Sequence, residues 1–199
     1  MRILIPTDVF PPHCGGSGWS VYYLVKALRK KGHDVTTIVP KPNVSGVSFG
    51  KYEGLNIIYI GYKKSGVPLL GNYYKNEFFW KVLEEFLISY LSREKYDIIH
   101  AQHQMTIVPS VNAGEKYSIP VVATLRDYWP VCYFGTMFSD KVNDCNLGCS
   151  DGSMPFKFIA KTYMRKNLKV KQDAIKKCAS LTAISSYVKK MVSAIIDGD

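Results

Sequence analysis

Gly15, Gly16 and Gly18 stand in a loop rich in Pro and Gly that runs from Thr7 to Gly18 and leads into a helical pattern. Glycine lets backbone N–H groups come close to a phosphate, and a helix N-terminus favours negative charge. The loop therefore suits an anionic ligand held by Gly15, Gly16 and Ser17. A tight turn that needs glycine for its own geometry leaves the same signature. A nicotinamide-dinucleotide site is the obvious competitor, and two positions oppose it. Counting from Gly16, Val21 stands where a third Gly or Ala belongs, and the second strand runs into Pro40 and Lys41 rather than a carboxylate for a ribose hydroxyl.

Further along, His100 and His103 sit at the end of an apolar strand, with Gln102 between them. His100 reads as an inward, hydrogen-bonded strand residue, while His103 is open between that role and a place in a cleft. Arg126 and Asp127 follow another strand. Arginine cannot act as a base near neutral pH, but its guanidinium holds a phosphate or carboxylate in bidentate fashion. A salt bridge to Asp127 is the plainer alternative. Cys132, Cys145 and Cys149 are spaced C-x12-C-x3-C. A closed zinc site needs four ligands, so these three would need another from afar, such as Cys14 or a His. Free thiols, a redox disulfide and a metal site all remain open, and no metal is expected.

The elements that must position these groups alternate between strand and helix. Apolar or β-branched runs give strands at Arg2–Pro6, Asp34–Val39, Leu55–Ile60, Asp97–Ala101, Ile119–Thr124 and Ser180–Ile184. Helical spacing marks Trp19–Lys31, closed by Gly32, and Tyr73–Lys95 with its aromatic anchors. Further helices are expected at Ile107–Tyr117, Phe156–Cys178 and Ser186–Ile196. Pro40–Gly54 reads as turns, and Asp127–Pro155 as irregular. The alternation implies an α/β fold: a doubly wound, mostly parallel sheet with helices on both faces, whose ligands bind beyond the carboxyl ends of the strands.

Composition bounds the rest. The chain has 199 residues, 47% hydrophobic and 21% charged, enough to bury a core as one domain. No apolar run approaches the ~18 residues of a membrane span, and the N-terminus does not read as a signal peptide. Five cysteines are too few and odd in number for a disulfide scaffold, so a reduced, cytoplasmic setting is expected. The net charge is +10, which favours anionic partners. Eight cations, Lys157, Lys161, Arg165, Lys166, Lys169, Lys171, Lys176 and Lys177, face only Asp173 within one helical segment, which thus carries +7 of that charge. At ~100° per residue, Lys161, Arg165, Lys169 and Lys176 share one arc with Phe158, and Ile159, Tyr163, Val170 and Ala174 lie opposite. That arc is either a solvated face or a peripheral docking surface for an anionic leaflet. A nucleic-acid partner is not expected, because the stripe is confined to one helix.

Four segments together resemble the first lobe of family 4 glycosyltransferases, which have the two-lobed GT-B fold. They are Asp8-Val-Phe-Pro-Pro-His-Cys-Gly-Gly-Ser-Gly-Trp-Ser20 with the following Leu24–Val35, Asp97-Ile-Ile-His-Ala101, Pro120-Val-Val-Ala-Thr-Leu-Arg-Asp-Tyr-Trp-Pro-Val-Cys132 and Leu181-Thr-Ala-Ile-Ser-Ser-Tyr-Val188. The similarity keeps its order from end to end. It implies that residues 1–199 form a single Rossmann-like, acceptor-binding lobe, with the lobe that holds most of the nucleotide-sugar lying outside this chain. The implied reaction moves a sugar from a nucleotide-sugar donor to an acceptor, with retention and with no metal or other cofactor. The donor diphosphate would meet Gly15, Gly16 and Ser17. His103, Arg126 and Asp127 would stand near the transferring sugar, and Trp19, Gln102 and Trp129 near the acceptor. The family usually has His where this chain has Arg126, and often His where it has Gln102. The isolated lobe is expected to be inactive. A non-catalytic module using the same cleft for an anionic sugar or nucleotide is the alternative.

Overall fold

The computed structural model describes residues 1–67, 70–135 and 158–196. Seven strands form one sheet: β1 (Arg2–Pro6), β2 (Asp34–Pro42), β3 (Val47–Tyr52), β4 (Leu55–Tyr62), β5 (Ile98–Gln102), β6 (Val121–Leu125) and β7 (Ser180–Ala183), in the order β3-β4-β2-β1-β5-β6-β7. β1 pairs in parallel with β2 and β5, β2 with β4, and β5 with β6, whereas β3 runs antiparallel to β4. The expected doubly wound α/β sheet is therefore present. From β1 the chain winds outward through β2 to β4, then returns to the other side of β1 with β5. The carboxyl ends of β1 and β5 are thus the topological switch point, where sheets of this kind bind ligands.

The helices are α1 (Gly16–Lys30), α2 (Leu70–Tyr73), α3 (Phe79–Leu91), α4 (Gln104–Tyr117), α5 (Arg165–Lys176) and α6 (Ser186–Ile196). A π-helical turn, Tyr74–Phe78, joins α2 to α3, and a second, Ala160–Met164, leads into α5. The chain forms two compact units, residues 1–124 with 178–180 and residues 125–177 with 181–199.

In the first unit, strand alternation sends Ile3 and Ile5 of β1 to one face and Leu4 to the other. Ile3 and Ile5 join Val35, Val39, Leu55 and Ile57 beneath Val21, Tyr22 and Val25 of α1. Val21 and Val25 are fully buried, each contributing about 1.5–3 kcal/mol through the area it removes from water. At the opposite end of the strands Arg2 fastens three elements. Its guanidinium reaches Asp34 at 3.3 Å and Glu94 at 2.9 Å, and its backbone N–H donates to Asp97 at 2.7 Å.

Three expectations need correction. Pro40–Gly54 is not all turn: β2 extends to Pro42, and β3 forms a hairpin with β4 about Glu53 and Gly54, whose φ values are +46° and +76°. Two successive positive φ angles suit a tight hairpin turn. β3 is an exposed edge strand, so it lacks the buried alternation that reveals a strand. The helix expected at Tyr73–Lys95 begins at Leu70, ends at Leu91 and contains the first π turn. The basic helix is also phased differently. Met164, Asn167, Lys171, Ala174 and Ile175 are buried, while Val170, expected inside, is 39% exposed.

Lys171, which lies outside the basic arc, is fully buried. In the second unit its Nζ lies 5.8 Å from the Trp129 ring centre and 5.2 Å from that of Tyr133, and it donates to the Tyr133 carbonyl at 3.4 Å. Two aromatic faces and a carbonyl stabilise the ammonium where water does not reach.

Candidate functional site

In the first unit a cavity of about 570 Å³ opens at the switch point, beyond the carboxyl ends of β4, β2, β1 and β5. Its lining includes Asp8, His13 and Ser17 from the loop and helix after β1, Lys64 after β4, Lys75 from the first π turn, and His103 after β5.

One wall is the start of α1. Gly15 caps it in extended backbone, with φ −83° and ψ −169°, without any side-chain hydrogen bond. The first turn carries no acidic residue, so no carboxylate of its own offsets the helix dipole. The glycines divide into two kinds. A Cβ built on Gly15 or Gly16 meets nothing within 4 Å. A Cβ on buried Gly18 would come 2.7 Å from Cys14 Cβ and 3.4 Å from Phe10 Cα. Gly18 is required by packing, whereas the packing of the chain alone makes no such demand at Gly15 or Gly16. Cys14 is half-buried beneath this turn, and burial pushes its thiol up from its ordinary pKa, away from thiolate reactivity.

The facing wall is the junction of β5 and α4. His103 caps α4 with φ +80° and ψ −176°, a conformation that side-chain-bearing residues rarely adopt and that costs about 1–3 kcal/mol. The junction is bolted to β1. Asp8 Oδ1 accepts the Met105 N–H at 3.0 Å, acting as a cap from outside the helix. The Thr106 hydroxyl lies 3.1 Å from the Gln102 carbonyl and 3.3 Å from that of Pro6. Gln104 reaches the π turn, its Nε2 donating to the fully buried Asn76 at 2.8 Å.

His100, expected as an inward strand residue, lies with Nε2 2.9 Å from Thr124 Oγ1. Gln102 is fully buried, and its amide donates to Thr124 at 3.1 Å. That bond links β5 to β6. Trp19 lies on α1, 36% exposed, with its ring edge-on to Tyr22 at 5.5 Å.

In the second unit, Arg126 and Asp127 follow β6 and are half-buried. Asp127 Oδ1 accepts the Trp129 N–H at 2.8 Å, which fixes the turn. Trp129 is fully buried, with the Lys171 ammonium over its ring. Cys132 is buried, and Cys145 and Cys149 lie outside the described residues. Cys178 is half-buried, and burial pushes its thiol up to about 12. Among the described residues no three His, Cys, Asp or Glu side chains gather as metal ligands. On the basic helix Arg165, Lys169 and Lys176 are exposed, Lys169 pairs with Asp173 at 2.9 Å, and Phe158 is 70% exposed. The Lys161 side chain lies outside the described set. No described helix is long and apolar enough to cross a membrane.

Asp8, Lys64 and Lys75 are among the cavity residues that sequence reasoning missed. Asp8 did carry a signal, a carboxylate just past the first strand. The lysines reach the cavity through the β4 end and a π turn that no periodicity marks.

The geometry has solved counterparts. An α,α-trehalose-phosphate synthase from Burkholderia xenovorans in complex with glucose-6-phosphate matches 100% of this chain and 44% of its own, with a TM-score of 0.55 at 11% identity. A HepE protein from Anabaena in complex with UDP matches 98% and 41%, with a TM-score of 0.53 at 15% identity. Sucrose-phosphate synthase from Thermosynechococcus elongatus matches 90% and 41%, with a TM-score of 0.50 at 16% identity. The chain thus spans less than half the length of these structures, and at such identities they speak for the fold alone. No curated protein matches it. The model of Glycosyltransferase Family 4 matches residues 14–196, nearly the whole sequence with Gly15, Gly16, His103 and the Arg126 loop inside it, and on that match the chain belongs to Glycosyltransferase Family 4.

Proposed function

We propose that this chain is the acceptor-side lobe of a retaining glycosyltransferase, which moves a sugar from a nucleotide-sugar to a glycan, lipid-linked or small-molecule acceptor. The observation that carries the reading is the glycine turn beside the switch-point cavity. Gly15 and Gly16 are exposed where the chain's own packing does not require glycine, at an unneutralised helix start, which suits close approach of a diphosphate. Ser17 joins that turn to the cavity. In this reading His103 faces the acceptor and can hold or move a hydroxyl proton. Arg126, where the family usually has His, holds negative charge instead of taking a proton, and Asp127 keeps the loop in shape through its bond to Trp129. The nucleotide-sugar is bound mainly by a second lobe, and no metal or other cofactor takes part.

The test is a transfer assay with protein that carries both lobes, using a panel of nucleotide-sugars and acceptors. Proton NMR should show a product anomer of the same configuration as the donor. Residues 1–199 alone should give no product, because catalysis in a cleft needs groups from both walls held in register. Failure of the two-lobed protein to bind or turn over any nucleotide-sugar overturns the reading, and an inverted product overturns retention.

The same reading places the protein in the cytoplasm, peripheral to a membrane, with Lys161, Arg165, Lys169 and Lys176 toward an anionic leaflet. Exposed Phe158 and the outward Arg165, Lys169 and Lys176 support it. Each such cation is worth ~1 kcal/mol near an anionic surface, and the ion pair of Lys169 with Asp173 reduces its share. Co-sedimentation with anionic vesicles should be seen at low salt, fade at high salt and drop when Lys161, Arg165 and Lys169 are changed to Glu. Indifference of the wild type to anionic vesicles leaves α5 as a solvated face.

A further inference from the structure

We infer that the acceptor carries a phosphate group, held by Lys64 and Lys75 at the β4 side of the cavity. The inference rests on the glycosyltransferase reading and names its acceptor class. Both lysines line the cavity, and both are exposed to solvent there. They come from separate elements, the segment after β4 and the first π turn, so their convergence is a property of the fold rather than of a run of basic sequence. Of the lining side chains named above, Asp8 alone is a carboxylate, and one of its oxygens already accepts the Met105 N–H. With His13 also on the wall, the cavity favours an anion.

The Lys75 position is built. The π turn sets Lys75 on the cavity and turns its neighbour Asn76 into the core, where Asn76 is fully buried and accepts from Gln104 at 2.8 Å. Gln104 lines the same cavity one residue after His103. Lys64 is tied at its backbone, its N–H donating to Asn43 Oδ1 at 3.2 Å.

Position separates this anion from the donor diphosphate. The glycine turn and His103 belong to β1 and β5, whereas Lys64 follows β4, two strands beyond β1. Three strand spacings from β4 to β5 amount to about 14 Å between backbones, which side chains from both walls shorten. A sugar fits that span with its phosphate at the lysines and its reacting hydroxyl toward His103.

The test uses the complete enzyme and acceptor pairs that differ only in a phosphate: a hexose and its 6-phosphate, and a neutral alkyl glycoside and a polyprenyl-diphosphate sugar in detergent. Inorganic phosphate serves as a competitor and, by calorimetry, as a binding probe that needs no turnover. Lys64→Ala and Lys75→Ala should each raise KM for the phosphorylated acceptor roughly 10-fold or more, with donor KM and kcat little changed. Lys75→Arg should retain most of the binding. Preference for the soluble hexose phosphate or for the lipid-linked diphosphate identifies the source of the phosphate. If the lysine variants raise donor KM instead, or if neutral acceptors work as well and phosphate does not compete, the inference is overturned. If no sugar is transferred to any acceptor while phosphate still binds and loses affinity in both lysine variants, the anion site stands and the glycosyltransferase reading fails.

Discussion

Gly16→Val in the complete enzyme should lower turnover about 100-fold or more, the scale at which a 1 Å misplacement acts, and leave thermal stability nearly unchanged. Gly18→Val should do the reverse in kind, lowering stability before any ligand is added. A Cβ at Gly16 meets nothing within 4 Å, so the added side chain has room until a ligand arrives. At Gly18 the same atom would stand 2.7 Å from Cys14 Cβ, next to the chain and not at the movable end of a side chain. Relief requires the start of α1 to shift, and overpacking of this kind costs about 1–3 kcal/mol. For a chain of this size that is a fall in Tm of roughly 2–12 °C. Denaturation scans of both variants, followed by steady-state kinetics with varied nucleotide-sugar, separate the two roles. Full turnover in Gly16→Val would mean that no ligand approaches that backbone, and the turn would then serve the fold alone.

The two glycines also mark where the sequence speaks and where it falls silent. Spacing and context placed Gly15, Gly16 and Gly18 in one motif at a helix start. Only the positions of Cys14 and Phe10 reveal that Gly18 answers to packing. β1, α1 and β2 were legible because their buried faces are regular: Val21 and Val25 recur at helical spacing and join Ile3, Ile5, Val35 and Val39 of the strands in one core. β3 was not, because an edge strand with an exposed Phe49 has no buried face to leave a pattern. The basic helix misled for a related reason. Periodicity treats every lysine as a solvent residue, whereas Lys171 is long enough to bury its stem and rest its ammonium on two aromatic rings. Its inward turn rotates the helix, so that Val170 comes out. Gln102 and Trp129 were named by resemblance, and each is fully buried within its own unit. The cavity cations Lys64 and Lys75 lie outside the glycine, histidine and arginine motifs, since what joins them is the return of the chain across the sheet.

His103→Gly should make the protein more stable and the enzyme slower. His103 holds φ +80° and ψ −176° at the start of α4, where only glycine is at ease. Removing the side chain releases about 1–3 kcal/mol of strain, from which about 0.5–1 kcal/mol is lost to the greater freedom of glycine in the unfolded chain. The net is a gain of up to about 2.5 kcal/mol. His103→Ala keeps a Cβ, hence keeps the strain, and should show no such gain. The two variants share the loss of the imidazole, so any fall in turnover common to both belongs to the ring. That fall should be about 100-fold or more if the imidazole moves a proton of the acceptor hydroxyl, and smaller if it only accepts a hydrogen bond. Urea unfolding of the three proteins reads the strain, and steady-state kcat/KM of the three reads the ring. A His103→Gly protein no more stable than His103→Ala would show that the backbone at this position is not strained. Equal turnover in all three would take His103 out of the reaction and leave it as the cap of α4. A stable, slow glycine variant beside a strained, slow alanine variant would mean that the fold bears a backbone cost at its switch point to keep an imidazole on the wall of the cavity.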